Sequence, residues 1–164
     1  FTGNAAEGVN QGLELEYAQR VNDLARIRAS LGLLNSRYSG YNSPAGEDLN
    51  GRDQAHAPSY QYSFSATFGG VSDWFGDIVI QGQDGFYFSD THDFQSDAYA
   101  VINLGLGRYI GDVEAHFWIK NLFDQEYSVR GFFFGNDPRT GYADTGWTQM
   151  GNPRQFGMSI RKDF

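Results

Sequence analysis

No cysteine occurs in the 164 residues, which excludes a disulfide framework, thiolate metal sites and thiol catalysis together. Long hydrophobic runs are missing too: no window approaches the ~18 consecutive apolar residues of a membrane helix. Charge is sparse, at 20% of residues, and its balance of -8 (pI about 4.7) argues against general nucleic-acid binding, which requires a basic surface. The chain opens at Phe1 with neither Met nor a basic-then-apolar leader, so it is expected to be a mature fragment rather than a whole gene product.

What is present is 16% aromatic residues and 21 glycines, with a mean hydropathy of only -0.50. The apolar residues are therefore spread thinly and regularly. The length suffices for one ordinary domain with a sizeable core. A spanning protein without apolar runs has to be a closed barrel, because lipid offers unpaired backbone groups no other partner.

The periodicity is two almost throughout, which predicts strands. Phe156, Met158, Ile160 and Phe164 fall on one face of the final segment, against Gln155, Gly157, Ser159, Arg161 and Asp163. Lys162 alone interrupts that apolar face, near the chain end, where a long stem can snorkel to an interface. Tyr60 to Phe68, Val113 to Ile119, Ile102 to Leu106, Leu13 to Tyr17 and Ala25 to Leu33 alternate in the same way, and Asp77 to Tyr87 does so more weakly. That makes about seven antiparallel strands. Their apolar faces are nearly free of charge, as lipid would select, since Arg or Lys at mid-depth costs roughly 2–4 kcal/mol.

The connections discriminate between a barrel and a soluble sandwich, which also alternates. They run short (Val21 to Asp23), long (Ser39 to His56), short (Gly69 to Phe75), medium (Ser89 to Gln95), short (Arg108 to Gly111) and long (about Gly131 to Asn152). Outer-membrane barrels alternate in this way, with periplasmic turns at one rim and extracellular loops at the other. Aromatic residues gather near both rims: Tyr17, Phe68, Trp74, Phe75, Tyr109 and Phe164 by the short links, and Tyr38, Tyr41, Tyr60, Phe86 and Phe88 by the long ones. In the first hairpin, a three-residue turn Val21-Asn22-Asp23 brings both apolar sets to one face and predicts a lumen ion pair between Glu16 and Arg28. Seven strands either curl into a small barrel, which an odd count makes awkward in a bacterial outer membrane, or form an arc of a larger one, and the arc is the expectation here.

Four motifs carry a family resemblance. Lys120-Asn121-Leu122-Phe123-Asp124-Gln125-Glu126-Tyr127 resembles the "NLFDxxY" pattern at the penultimate strand of TonB-dependent receptors. Gly151-Asn152-Pro153-Arg154-Gln155-Phe156-Gly157, leading to Phe164, is similar to their "G-x-P-R-x-x-G…F" finish. Gly51 to Pro58 before Tyr60 resembles their approach to a barrel strand, and Gly12-Leu13-Glu14-Leu15-Glu16 their "G-x-E-x-E" start. The resemblance covers nearly the whole chain, and order and spacing carry it more than any motif alone.

The resemblance implies a plugged barrel of about 22 strands, with residues 1–164 as the C-terminal portion of the barrel domain, and the plug, the TonB box and the earlier strands outside it. It also implies a bacterial outer-membrane location in contact with the lipid bilayer. The expected function is TonB-dependent active transport of a scarce nutrient, by default an iron-siderophore complex, with a passive channel or plugless structural barrel as the alternative. No enzyme activity, cofactor or nucleic-acid partner is expected. The implied partners are the TonB energy-coupling complex, through the N-terminal part, and the outer-membrane barrel assembly machinery. For that machinery Phe156, Met158, Ile160 and Phe164 form a strand-addition signal.

Among the reactive side chains, His56 and His92 fall in loops and His116 lies on the polar face beside Glu114, without triad or paired-ligand spacing. Asp90-Thr91-His92-Asp93 places oxygen and nitrogen ligands close together, although acidic loop tips ordinarily serve solvation. Asp137-Pro138-Arg139 reads as a turn. Phe132, Phe133, Phe134, Tyr142 and Trp147 make the last long loop a candidate for ligand contact, with packing against the rim as the competing role. The polar-face charges (Glu14, Glu16, Arg26, Arg28, Glu114, Lys120, Arg161 and Asp163) are of mixed sign, which suits holding a wall and its contents together better than selecting a solute.

Overall fold

A computed structural model of the chain describes residues 7–43, 46–71, 73–90 and 92–162. The strands are β1 (Glu7–Arg20), β2 (Ala25–Ser39), β3 (Tyr60–Val71), β4 (Trp74–Gln83), β5 (Tyr99–Ile110), β6 (Val113–Lys120), β7 (Ser128–Phe134), β8 (Thr145–Met150) and β9 (Gln155–Lys162). Seven of them form one antiparallel sheet in the order β1-β2-β3-β4-β5-β6-β9, and β7 and β8 make a separate two-stranded ribbon. Short connections at 21–24, 72–73 and 111–112 alternate with long ones at 40–59, 84–98 and 121–154. No described helix is long and apolar enough to cross a membrane, which bears on helices and not on strands.

Each ladder keeps apolar residues opposite apolar ones. Leu15 faces Leu31, Ala29 faces Phe64, Phe64 faces Ile80, Ile80 faces Ile102, Leu106 faces Phe117 and Phe117 faces Met158. Because side chains alternate, the matched parity in all six ladders gives the sheet one apolar and one polar face. Charges of the apolar parity stand only near strand ends: Glu7 and Arg37 at the long-loop rim, Arg108 and Lys162 at the turn rim.

The sheet is a single layer. Leu15, Phe117, Met158 and Ile160 remain exposed on the apolar face, Ile160 at 66%. The buried apolar side chains among the described residues are Phe86, Phe88 and Val101, of which the first two lie in the 84–98 loop. Such a continuous apolar face has to meet another apolar phase.

The wealth of glycine and aromatic residues has a common cause. Tyr62 lies over Gly82, Phe68 over Gly76, Phe75 over Gly107 and Trp118 over Gly157, each pair directly opposed across its ladder. A methyl group at any of these glycines would overlap the ring. Each ring thus covers backbone that a larger partner would push it away from, a cross-strand contact worth roughly 0.2–1 kcal/mol.

Several expectations are corrected. The first turn spans four residues, 21–24, closed by Val21 N–H donating to Ala25 O at 2.9 Å and by Leu24 N–H donating to Asn22 Oδ1 at 2.8 Å. This Asx-type closure moves the turn one position along the chain, with Arg26 opposite Arg20 where Leu24 was expected, and so shifts the register by two. Glu16 therefore stands opposite Ser30, and Arg28 opposite Ala18, so the predicted Glu16–Arg28 pair is replaced by a diagonal relation on the same face. The fourth strand ends at Gln83, not Tyr87, and Phe86 and Phe88 turn into a loop core instead of a rim girdle. Phe75 packs on Tyr109 and His116 at 5.0 and 5.6 Å, on the polar face. Tyr17, Phe68 and Trp74 remain on the apolar face at the turn rim, with Tyr60 and Tyr62 at the other. The last loop contains the β7–β8 ribbon.

Gly157→Val in the full-length protein is expected to lift the Trp118 ring off its seat. A stability loss of about 1–3 kcal/mol, read as a lowered unfolding midpoint, follows from overpacking. An unchanged midpoint would show that the ring does not rest there.

Candidate functional site

Two regions carry the polar and aromatic groups that a ligand could meet. The first is the polar face of the sheet. A groove of about 320 Å³ there is lined by Glu14, Glu16, Ser30, Gln61, Gln81 and Gln83, among others. Ser30 and Ser63 share a 2.8 Å hydrogen bond across β2 and β3. Towards β9, Arg161 lies 4.0 Å from Glu114, and His116 Nε2 lies 3.8 Å from Asp77 Oδ1. The face is thus a mixed-sign, hydrogen-bonding wall. Exposed pairs of this kind contribute little individually, at most about 1 kcal/mol.

The three histidines share one habit: each packs against phenylalanine. His56 sits 5.3 Å from Phe86, His92 4.3 Å from Phe133 and His116 5.6 Å from Phe75. Among the described residues no group of three His, Asp or Glu side chains could hold a metal ion. The acidic stretch after Ser89 is occupied by loop contacts instead. Asp90 accepts from Ala55 N–H at 3.3 Å and Asp93 from Arg52 at 2.6 Å, while Thr91 lies outside the described residues.

The second region is the long-loop end, and its foot is built by the NLFD stretch. Asn121 is buried in a left-handed backbone conformation (φ 50°), which Asn tolerates better than most residues. Its Nδ2 donates to Gln125 O at 2.9 Å and to Asn152 O at 3.0 Å, and its Oδ1 accepts from Gln125 N–H at 2.9 Å. Its own N–H donates to Asn103 Oδ1 at 2.9 Å. Asp124 Oδ1 accepts from Arg154 N–H at 2.7 Å. Gly151 N–H donates to Tyr127 O at 2.8 Å, and the Tyr127 ring packs on Tyr99 at 4.3 Å. Leu122 N–H bonds Ile102 O, whereas Phe123 is 72% exposed. The family-motif residues Asn121, Asp124, Tyr127 and Arg154 are thereby brought together, and they staple the two feet of the β7–β8 ribbon directly above the β6–β9 ladder.

The ribbon itself has two faces. Phe133 turns towards the 84–98 loop, against His92 and Phe94, and Gly131 leaves room for Phe88. Phe132, Phe134 and Trp147 occupy the other face, with ring centroids 6.4–6.5 Å apart in succession, and Arg130 lies 4.8 Å over Phe132. Tyr142 is exposed near the tip. Between the strands a 3-10 turn, Pro138–Thr140, is capped by Asp137, whose carboxylate is held below its usual range by Arg139. That cap therefore persists above the ordinary carboxylate pKa and loosens as pH falls. Of the candidate assembly signal, Phe156, Met158 and Ile160 lie exposed on β9, at an edge of the sheet, and Phe164 lies outside the described residues.

The sequence reading missed the ribbon's two-sidedness and the role of Arg52. The only available signal for the ribbon was Gly131 and Gly146 flanking consecutive aromatics.

No protein-family model matches the sequence. Solved structures share the fold. The siderophore receptor PiuA from Acinetobacter baumannii matches with a TM-score of 0.72 at 15% identity, over 93% of this chain and 21% of its own. The ferric yersiniabactin uptake receptor FyuA from Yersinia pestis gives 0.79 at 18% identity, over 98% and 24%. The ferric-catecholate import receptor Fiu from E. coli K12, in a closed form, gives 0.69 at 15% identity, over 93% and 20%. The chain has the fold of a segment of an antiparallel receptor β-barrel and spans 20–24% of the length of these proteins.

Asn121→Ala is expected to leave the Gln125 and Asn152 carbonyls unpaired, at a cost of about 1–3 kcal/mol for each group left buried. Limited proteolysis of the full-length protein should then cut within 125–152 while the β1–β6 strands survive. Wild-type resistance in that segment would contradict the staple.

Proposed function

We propose that the chain is the C-terminal part of the barrel of a TonB-dependent outer-membrane receptor that imports a ferric siderophore. The observation that carries this reading is the single-layer sheet with a charge-free apolar belt and a hydrogen-bonding inner wall, in the fold shared by three receptors named for siderophores or their iron complexes. The NLFD and Pro153-Arg154 motifs support the family independently of the fold comparison.

In this reading the apolar face meets lipid, the polar face lines the lumen around a plug supplied by the N-terminal part, and the long loops face the outside. Ligand binds at the loop end and passes inward when TonB displaces the plug. No covalent bond is made or broken; the barrel segment binds, encloses and guides. The exposed ribbon face of Phe132, Phe134 and Trp147 is the loop-end surface best suited to first contact. Exposed rings lose favourable free energy in water and recover it by stacking on a ligand. Tyr142 stands beside it. The edge strand β9 pairs with the barrel assembly machinery during insertion through Phe156, Met158 and Ile160, and Phe164 belongs to the same sequence signal.

The full-length receptor, expressed in an iron-starved host lacking its own siderophore receptors, is expected to restore growth on at least one ferric siderophore, and only while TonB is intact. Uptake that persists without TonB would mean a passive channel. Failure with every ferric complex, alongside TonB-dependent uptake of cobalamin or a saccharide, would move the substrate to another class.

A further inference from the structure

The 40–59 loop, the 84–98 loop and the β7–β8 ribbon leave from different strand pairs, yet they meet at one point, the tip of the 84–98 loop. Arg52 reaches that tip from the first loop. Its Nη1 lies 2.6 Å from Asp93 Oδ1, its Nη2 donates to the His92 carbonyl oxygen, and its guanidinium lies 4.0 Å over the Tyr87 ring. On its other side the tip meets the ribbon: the His92 ring packs on Phe133 at 4.3 Å, and Phe94 lies 6.4 Å from the same ring.

Exposure separates the contacts that matter. The Arg52 side chain is 14% exposed, whereas Asp93 is 91% exposed. The ion pair is therefore solvent-screened, and the sheltered contacts are those to the His92 carbonyl and the Tyr87 ring. Both use the planar fork of Arg. Lys can supply the charge but cannot reproduce the flat stacking together with a directed second donor. The backbone of Arg52 is itself anchored, its carbonyl accepting from Tyr38 N–H at 3.0 Å at the end of β2.

We propose that Arg52 is a positioning residue for the ribbon. By gripping residues 92–93 it fixes the surface on which Phe133 seats, and so fixes how the opposite face, with Phe132, Phe134 and Trp147, is presented. The link from Arg52 to the ribbon is independent of any ligand. Its consequence for uptake rests on the receptor reading above.

The test is hydrogen exchange on the full-length receptor, following peptides 84–98 and 128–150 with β5 and β6 as internal reference. Arg52→Ala is expected to raise exchange several-fold in both segments and leave the reference unchanged. Arg52→Lys should not restore protection, whereas Asp93→Asn should stay near wild type. Phe133→Ala should free 128–150 as well, and adding Arg52→Ala to it should free that segment little further, since both break one chain of contacts. Wild-type exchange in 128–150 beside a loosened 84–98 overturns the proposal, as do fully additive effects or a loss of protection extending to β5 and β6. Retention of ferric catecholate and ferric hydroxamate complexes by the same variants separates the two readings. A loosened ribbon with every complex retained as before would overturn the ribbon's ligand-facing role and leave the coupling standing.

Discussion

The structure depends on one constraint: a single antiparallel layer with chemically opposite faces and, among the described residues, no second layer to cover either. Cross-strand hydrogen bonds satisfy the backbone within the sheet, so the remaining requirement is an apolar phase on one side and a polar one on the other. A soluble sandwich would bring a second sheet against the Leu15, Leu31, Phe64, Ile80, Ile102 and Phe117 row. Here that row is left facing outward along the full width of the sheet. Lipid is the covering we propose for it.

The same constraint accounts for where the rings and glycines go. A layer without a partner has to shield its backbone with its own side chains, and large rings laid over opposing glycines do this on both faces. Tyr62 and Phe68 do so on the apolar side, Phe75 and Trp118 on the polar side. Conventional burial appears only where three-dimensional packing is available, at the long-loop end. Phe86 and Phe88 are buried there, Phe94 and the partly exposed Phe133 pack beside them, and the Asn121 staple ties the feet of the ribbon together above the ladder.

Much of the wall was legible in the sequence, because alternation at period two is a local property and seven strands show it. The parity of both faces and the alternation of short and long connections could be read from the chain, whereas Asn121 and Asp124 stood out only through a motif resemblance that says nothing of their hydrogen bonds. The first hairpin register could not. Parity admits several even sums, and the choice among them was made by Asn22 accepting from Leu24 N–H. Phe86 and Phe88 continue an alternating run and so read as rim residues, but their positions are fixed by contacts with His56, distant in sequence, and with Phe94 across the same loop. The grip of Arg52 on the 84–98 loop gave no sequence signal beyond its place in the Gly51 to Pro58 motif, since its partners belong to another loop.

The most direct test of the central claim is a cysteine scan along β2 in the protein inserted in a lipid bilayer, using the absence of native cysteine in these 164 residues. Labels at Ile27, Ala29 and Leu31 should be quenched from the lipid phase and resist water-soluble thiol reagents, while Arg26, Arg28 and Ser30 should show the reverse. Equal access of aqueous reagent to both sets would contradict the account, because it would mean that no lipid covers the apolar face.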